Sequence, residues 1–354
     1  MLELEDGRTA PGLRVGLVGL GYWGPNLLRV LADLPDVEVA WICELDEARL
    51  RRYARRYPAT RPTPDFERLL ADPALDAILI STPVFTHSDL AARSLAAGKH
   101  TFVEKPLAAS VAEADRLLEL AAERELTLMC GHTFLFSPPV RLIGGMLDRG
   151  ELGDLYFISS SRVNLGLHQR DTSVIWDLAP HDFSILHIWL GGMPRTIRAL
   201  GRDSIVKGVA DVAFITMSYA TGLIVNVELS WLAPSKLRRT VLVGSEKMVV
   251  YEDGAPEAVR VFDHGVVYQD PETFGEYQLS YRTGDITSPK LETAEPLAAQ
   301  VADFVAAARV GARRPEQARL ARDVVQMLET ADASLRGGGA EVAVAGSGPV
   351  RSGT

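Results

Sequence analysis

Three glycines near the start of the chain have the spacing of a loop that binds phosphate groups. The segment Gly19-Leu20-Gly21-Tyr22-Trp23-Gly24 follows a short apolar run and precedes a helical pattern that begins at Pro25. In this position the first glycine permits a tight turn, the second lets a pyrophosphate approach the backbone, and the third lets helix pack on strand. The free N–H groups of the helix N-terminus then face the anion. The loop, with Tyr22 and Trp23, therefore predicts a dinucleotide site.

A carboxylate stands where such a site needs one. Glu44 lies 20 residues after Gly24 and directly after Val37–Cys43, which has the pattern of a strand. A carboxylate there accepts from the adenosine ribose hydroxyls and repels a 2′-phosphate, so it favours NAD over NADP. NADP stays open as the alternative because three arginines that could reach a phosphate follow closely: Arg49, Arg51 and Arg52.

The elements that would position these residues alternate between strand and helix. Short apolar runs predict strands over 13–20, 37–43, 77–81, 100–103 and 127–131, and helical periodicity predicts helices over 25–34, 47–57, 87–97 and 110–124. Alternation with short links predicts parallel strands joined by right-handed crossovers. Residues 1–131 are therefore expected to form a doubly wound parallel sheet, the Rossmann arrangement of the α/β class.

The second half of the chain has a different pattern of predicted elements, with mostly strands and few helices. Alternating runs predict strands over 155–164, 196–200, 210–219, 223–231, 239–244 and 247–251, with links short enough for hairpins. Residues 132–336 are expected to form an α+β domain with a large open antiparallel sheet. Its last helices, predicted over 296–308 and 315–335, would pack back on the first domain. The Gly- and Ala-rich tail, 337–354, is predicted to be partly disordered.

A second motif carries a resemblance to a known family. Ser81-Thr82-Pro83 is followed by His87, and a strand led by Gly98 ends in Glu104-Lys105-Pro106. With the glycine loop, these segments resemble the Gfo/Idh/MocA family of oxidoreductases over residues 13 to about 135. The resemblance implies NAD(P)-dependent oxidoreduction and places Thr82 and Pro83 at the cofactor.

Lys105 is the predicted electrophilic group of this motif. It follows a buried parallel strand, so it lies at the carboxyl edge of the sheet, where ligands bind in such folds. An ammonium there can donate to a carbinol or carbonyl oxygen as charge develops during hydride transfer. Glu104 would orient or neutralise Lys105, with a purely structural role as the alternative. His87 would contact the cofactor or pack beside it.

A pair in the second domain matches the remainder of the family pattern. The family has Asp-x-x-x-His between the first two strands of this domain, and Asp177 and His181 match it. The resemblance implies that His181 is the catalytic acid and base, and an imidazole titrates in the pH range that this role needs. Asp177, one helical turn away, would bind the substrate or raise the basicity of the imidazole.

The surrounding residues narrow the expected substrate. The segment around His181, with Arg162 and Asn164 upstream and Lys236 downstream, looks like family members that act on nucleotide-linked sugars, often at C3. These three polar residues would bind sugar hydroxyls or a diphosphate, with a structural role as the alternative for each. Inositols, aminocyclitols or free sugars are the alternative substrates. A redox-neutral NAD-dependent glycosidase and a non-catalytic NAD sensor are the alternatives from other classes.

Composition limits the partners. The chain has 354 residues, a formal net charge of −9 and only two cysteines. The sequence has no basic stretch dense enough to indicate a nucleic-acid partner. Its low cysteine content is typical of proteins in a reducing cytosol. No run is apolar enough to cross a membrane, and no metal site is expected because no ligand cluster has the spacing. A cytoplasmic homo-oligomer, a dimer or tetramer with its sheet face buried, is predicted.

Overall fold

The structure, a computed structural model, describes residues 12–166, 172–268 and 279–347. It divides into two compact units, the first formed by Met1–Phe136 with Ala294–Val325 and the second by Ser137–Thr293 with Gln326–Thr354. The first boundary falls a few residues after the predicted one at 131. The segment from Ala294 groups with the first unit, although it follows the second in sequence.

The first unit contains a six-stranded sheet. Its elements are β1 (Leu13–Val18), α1 (Gly24–Asp33), β2 (Val37–Cys43), α2 (Glu47–Arg56), β3 (Arg61–Thr63), α3 (Glu67–Ala71), β4 (Ala77–Ile80), α4 (His87–Ala96), β5 (His100–Val103), α5 (Val111–Glu123) and β6 (Leu128–Cys130). The strand order is β3-β2-β1-β4-β5-β6, and each neighbouring pair is parallel. This is the doubly wound order of a dinucleotide-binding fold, and it confirms the predicted Rossmann domain.

The core of this unit explains why short apolar runs in the sequence predicted its strands. The strands are buried on both faces, so they appear in the sequence as short, continuously apolar runs. Helix α1 buries its leucine stripe against them. A later helix, α8 (Pro296–Arg309), adds Phe304, whose ring meets Phe102 edge-on at a centroid distance of 5.6 Å.

The second unit contains a nine-stranded sheet. Its elements are α6 (Pro138–Asp148), β7 (Leu155–Leu165), α7 (Val174–Leu190), β8 (Thr196–Arg202), β9 (Val212–Ser218), β10 (Ile224–Ser230), β11 (Leu232–Gly244), β12 (Met248–Glu252), β13 (Val259–Tyr268), β14 (Leu279–Thr287) and β15 (Val342–Ala343). The strand order is β14-β13-β12-β11-β7-β10-β9-β8-β15. The last helix, α9 (Pro315–Arg336), begins in the first unit and ends in the second.

The sheet of the second unit is mostly antiparallel, as expected, and it contains one parallel pair. Strand β10 pairs with β7 in parallel register, Ile224 beside Phe157, while the other pairs are antiparallel. A parallel neighbour needs a long connection, and here the connection contains α7, β8 and β9. The hairpin signals in the sequence identified antiparallel pairs such as β9–β10 but not this one.

Strand β10 has one buried face and one mixed face. Its odd-numbered residues and the flanking Leu223 and Trp231 are buried, whereas Ile224 and Asn226 are exposed. At the end of the chain, part of the segment expected to be a disordered tail is ordered, since β15 pairs with β8. Residues 348–354 lie outside the described residues.

Candidate functional site

The structure brings several of the predicted residues to one edge of the parallel sheet. The glycine loop follows β1, Glu44 follows β2, Thr82 follows β4, and Glu104 with Lys105 follows β5. These four strands are adjacent, in the order β2-β1-β4-β5, and all run in the same direction. Their carboxyl ends therefore form one continuous edge, where ligands bind in doubly wound sheets.

The three loop glycines differ in what a side chain would meet. A Cβ at Gly19, whose φ is +91°, would lie 2.3 Å from the Ser81 carbonyl oxygen, and one at Gly24 would lie 2.0 Å from the Gly19 carbonyl oxygen. A Cβ at Gly21 would meet nothing within 4 Å. The first and third glycines are thus required by packing, whereas the backbone at Gly21 is open to an approaching group. The following side chain, Tyr22, is highly exposed.

Glu44 links the glycine loop to the turn after β2. Its Oε2 accepts from the backbone N–H of Leu20 at 2.7 Å, and its Oε1 accepts from that of Asp46 at 3.0 Å. Arg49, which sequence analysis treated as a possible phosphate ligand, lies within ion-pair distance of both Glu44 and Asp46. At the end of β2, the carboxylates of Glu44 and Asp46 therefore lie close to the guanidinium of Arg49.

Glu104 is a buried carboxyl group beside Lys105. It lies against Gly131, where a Cβ would come within 2.8 Å of its Oε2, and this oxygen accepts from the Lys105 backbone N–H at 3.2 Å. Burial raises the pKa of Glu104 to about 7, against the lowering effects of the Lys105 charge, the Lys105 N–H and the Trp23 indole N–H. Lys105 itself is half-buried. The carboxyl group can therefore change its charge next to the ammonium near neutral pH.

His87 was expected either to contact the cofactor or to pack beside it, and the structure shows how it packs. Its ring is buried, with Nδ1 2.8 Å from the Pro106 carbonyl oxygen and Nε2 2.8 Å from the Thr82 carbonyl oxygen. Burial lowers the pKa of His87, against the raising effect of the two carbonyl groups. Both ring nitrogens therefore lie within hydrogen-bond distance of backbone carbonyl oxygens.

In the second unit, Asp177 and His181 both lie on helix α7. Four residues apart, they share one face of the helix, and both are half-buried. Asp177 Oδ2 accepts from the Trp231 indole N–H at 3.1 Å. Trp231, just after β10, therefore orients the carboxylate. Trp231 ends a strand predicted from the sequence, but its contact with Asp177 depends on the tertiary structure.

Arg162 was expected to bind substrate or to have a structural role, and the structure places it in a buried ion pair. Its guanidinium pairs with Asp182, Nε to Oδ2 at 2.5 Å, and both side chains are buried. Ser160 donates to the same carboxylate at 2.8 Å and lies 2.9 Å from the Thr240 hydroxyl. A charge pair this deep is committed to its partner, because separating it would leave a buried charge uncompensated. In the sequence, the only feature that drew attention to Asp182, the partner of Arg162, was its position directly after His181.

The other two predicted substrate residues have different settings. Asn164 is half-buried near the end of β7, and its Oδ1 would be 3.2 Å from a Cβ added at Gly166. Lys236 is exposed on β11, inside the irregular stretch between Leu232 and Leu237 where the pairing with β7 shifts register. Within the described residues, neither side chain has a buried ion-pair partner as Arg162 does, so a substrate contact stays a prediction for both.

Comparison with known proteins agrees with this architecture. The family model described as an oxidoreductase family with an NAD-binding Rossmann fold matches residues 13–132, and a Gfo/Idh/MocA C-terminal domain model matches residues 140–250. The protein is thus an NAD(P)-dependent oxidoreductase of the Rossmann type. The chain belongs to the Gfo/Idh/MocA family, as the sequence motifs indicated. Among the described residues, no helix is long and apolar enough to cross a membrane.

Relatives with assigned activities are distant. UDP-N-acetylglucosamine 3-dehydrogenase of Acidithiobacillus ferrooxidans is 28% identical over 228 residues, which are 64% of this chain and 70% of the relative. Myo-inositol 2-dehydrogenase of Thermotoga maritima is 24% identical over 259 residues, 70% of this chain and 78% of the relative. The fold matches that of GenD2 from gentamicin A biosynthesis, solved with NAD, at a TM-score of 0.80 and 24% identity over 95% of this chain and 97% of that one.

Proposed function

We propose that this protein transfers a hydride between NAD and a hydroxyl-bearing carbon of a sugar, and that the sugar is nucleotide-linked and reacts at C3. The observation that carries the proposal is the edge of the parallel sheet, where the open backbone at Gly21, the carboxylate of Glu44 and the Lys105 ammonium follow neighbouring strands. NAD, when bound, accepts or donates the hydride. The protein supplies binding, orientation and proton transfer.

The residues at the end of β2 support NAD over NADP. The Glu44 carboxylate would accept from ribose hydroxyls and would repel a 2′-phosphate. Arg49, the nearest cation that could offset that repulsion, lies within ion-pair distance of Glu44 and Asp46. Calorimetry should therefore show tighter binding of NADH than of NADPH. Equal or reversed affinities would contradict this role of Glu44.

Two side chains would carry the proton and the charge. In oxidation, His181 takes the hydroxyl proton of the substrate as the hydride leaves the same carbon, and it returns the proton in reduction. Lys105 donates to the substrate oxygen and stabilises its developing negative charge. Asp177, oriented by Trp231, supports the charged imidazole or binds a substrate hydroxyl. Thr82 and Pro83 would line the cofactor side of the edge.

The substrate class is supported by the relative that acts at C3 of a UDP-linked sugar. The relative that acts on myo-inositol supports the alternative of a free inositol, aminocyclitol or sugar. A redox-neutral glycosidase and a non-catalytic NAD sensor stay alternatives from other classes, and Lys105 and His181 speak against the sensor.

One experiment separates these functions. The protein is incubated with NAD or NADP and with a panel of UDP- and dTDP-sugars, free sugars and inositols, and NAD(P)H absorbance is followed. Turnover with nucleotide sugars is the expected result. Turnover with inositols alone would mean that the substrate is an inositol and not a nucleotide sugar. NADH binding without turnover would favour the sensor, whereas glycoside hydrolysis without net reduction of NAD would favour the glycosidase.

A further inference from the structure

The His87 imidazole joins two loops at the carboxyl edge of the parallel sheet. It is the first residue of α4, and it is 1% exposed. One ring nitrogen lies 2.8 Å from the carbonyl oxygen of Thr82, after β4, and the other lies 2.8 Å from that of Pro106, after β5. A single buried side chain thus lies between the Thr82-Pro83 turn and the peptide that follows Lys105, and a neutral ring donates to one of the two carbonyl oxygens.

The turn on one side of this connection is itself well bonded. The Thr86 backbone N–H and hydroxyl both bond to the Pro83 carbonyl oxygen, at 2.9 and 2.7 Å, and the Thr82 and Thr86 hydroxyls are 2.7 Å apart. These local bonds restrict the turn that bears the Thr82 carbonyl group. Because the turn is restrained, a His87 ring that contacts it also restrains the Pro106 carbonyl group at its other nitrogen.

On the other side, the ring contacts the residue next to Lys105. The Pro106 carbonyl group is buried together with the imidazole, so a lost contact there would not be replaced by bulk water. Beyond β5, Lys105 projects from a loop rather than from a strand, and its backbone position depends on such loop contacts.

We infer that His87 is a positioning residue that fixes Lys105 relative to the Thr82-Pro83 turn and touches neither cofactor nor substrate. The inference rests on the proposed function, because it assumes that the Lys105 ammonium acts on the substrate oxygen. A displacement of about 1 Å at a reacting group can reduce the rate about 100-fold. Loss of the imidazole should accordingly lower kcat and leave NADH binding in place.

Three substitutions divide the two contacts. His87→Leu removes both polar contacts, whereas His87→Asn places an amide near the position of Nδ1 and His87→Gln places one near Nε2. His100→Asn is the matched control, because His100 is a partly buried histidine in the same unit whose Nδ1 contacts Thr127. Each kcat is normalised to the number of NADH-binding sites, so that unfolded protein does not count.

The expected result separates positioning from stability. His87→Leu should lower kcat by about 10-fold to 100-fold, with the KM values and the NADH dissociation constant within about twofold of wild type. His87→Asn should recover more of kcat than His87→Gln, since it retains a polar group toward Pro106. His100→Asn should change the melting temperature but not kcat. A rise of tenfold or more in the NADH dissociation constant of any folded His87 variant would overturn the inference, because it would show that His87 serves cofactor binding, by direct contact or through the Thr82-Pro83 turn.

A double-mutant cycle tests the route through Lys105. If His87 acts only by positioning this lysine, Lys105→Ala with His87→Asn should turn over as Lys105→Ala alone does. A further loss as large as that of His87→Asn by itself would overturn the inference but leave the proposed function intact. Wild-type turnover of Lys105→Ala would instead refute the role of Lys105, and the inference would fall with it.

Discussion

Lys105 and His181 are placed by different means. Lys105 follows a strand and lies beside the buried Glu104, whereas His181 is one turn from Asp177 on a helix. Replacement of either by alanine should lower turnover by about 100-fold or more, the scale of positioned acid–base and charge-stabilising groups. NADH binding, followed by fluorescence, should persist. His187→Ala, a half-buried histidine on the same helix, is the control for His181. A folded variant with near wild-type turnover would contradict the role of the residue replaced.

Glu104 should make stability depend on pH. Burial raises its pKa from 4.5 to about 7 in the folded chain. Between these values the unfolded chain has lost the proton that the folded chain still binds. The unfavourable contribution is therefore absent below about pH 4.5, grows as pH rises and is complete above about pH 7. Glu104→Gln cannot ionise, so its free energy of unfolding should exceed that of wild type at pH 8 by on the order of 3 kcal/mol.

Urea unfolding at a series of pH values from 5 to 8 measures this difference. The gap between Glu104→Gln and wild type should narrow steadily as the pH falls toward 4.5. Glu123→Gln, which alters an exposed glutamate at the end of α5, should show no such trend. A gap that is constant with pH would mean that Glu104 stays ionised across this range.

At the scale of elements, substitutions at two glycines of the β1–α1 loop should have different effects, one on stability and one on NADH binding. Gly24→Ala would place a Cβ 2.0 Å from the Gly19 carbonyl oxygen, so it should lower the melting temperature by displacing α1 from β1. Gly21→Ala meets nothing within 4 Å in the free protein. It should melt as wild type does yet bind NADH at least about tenfold more weakly, since the methyl group occupies the path of the pyrophosphate. Normal NADH affinity in folded Gly21→Ala would contradict the predicted phosphate position.

At the scale of the molecule, the outer face of the second sheet predicts self-association. Phe157 and Ile224 are neighbours across β7 and β10, and both are exposed, as is Phe214 on β9. Apolar groups clustered on one face commonly mark an interface, and identical copies usually close with two-fold symmetry. We expect light scattering to report a dimer or tetramer of the 38.5 kDa chain.

Ile224→Arg should shift that mass toward the monomer, because it would place a charge in the middle of the interface. Val310→Glu, at an exposed apolar residue of the first unit, should leave the mass unchanged. A wild-type protein that is monomeric at micromolar concentration would refute the assembly.

The sequence alone was sufficient where function follows from local order along the chain. Strands buried on both faces are short apolar runs, and the glycine loop acquires meaning from its place between β1 and α1, so the Rossmann sheet and its binding edge were predictable. The same holds for the placement of Asp177 and His181 on one helix face, since residues four apart on a helix share a face.

Only the tertiary structure decided which distant groups meet. The sequence left open whether Arg162 binds substrate or is structural, and the structure shows its ion pair with Asp182 of α7. It also left open whether His87 contacts the cofactor or packs beside it, and the structure shows carbonyl oxygens of two loops at both ring nitrogens. The parallel neighbour of β10 was hidden for the same reason. Periodicity states which face of an element is buried, but the partner on that face is chosen by packing between segments far apart in the chain.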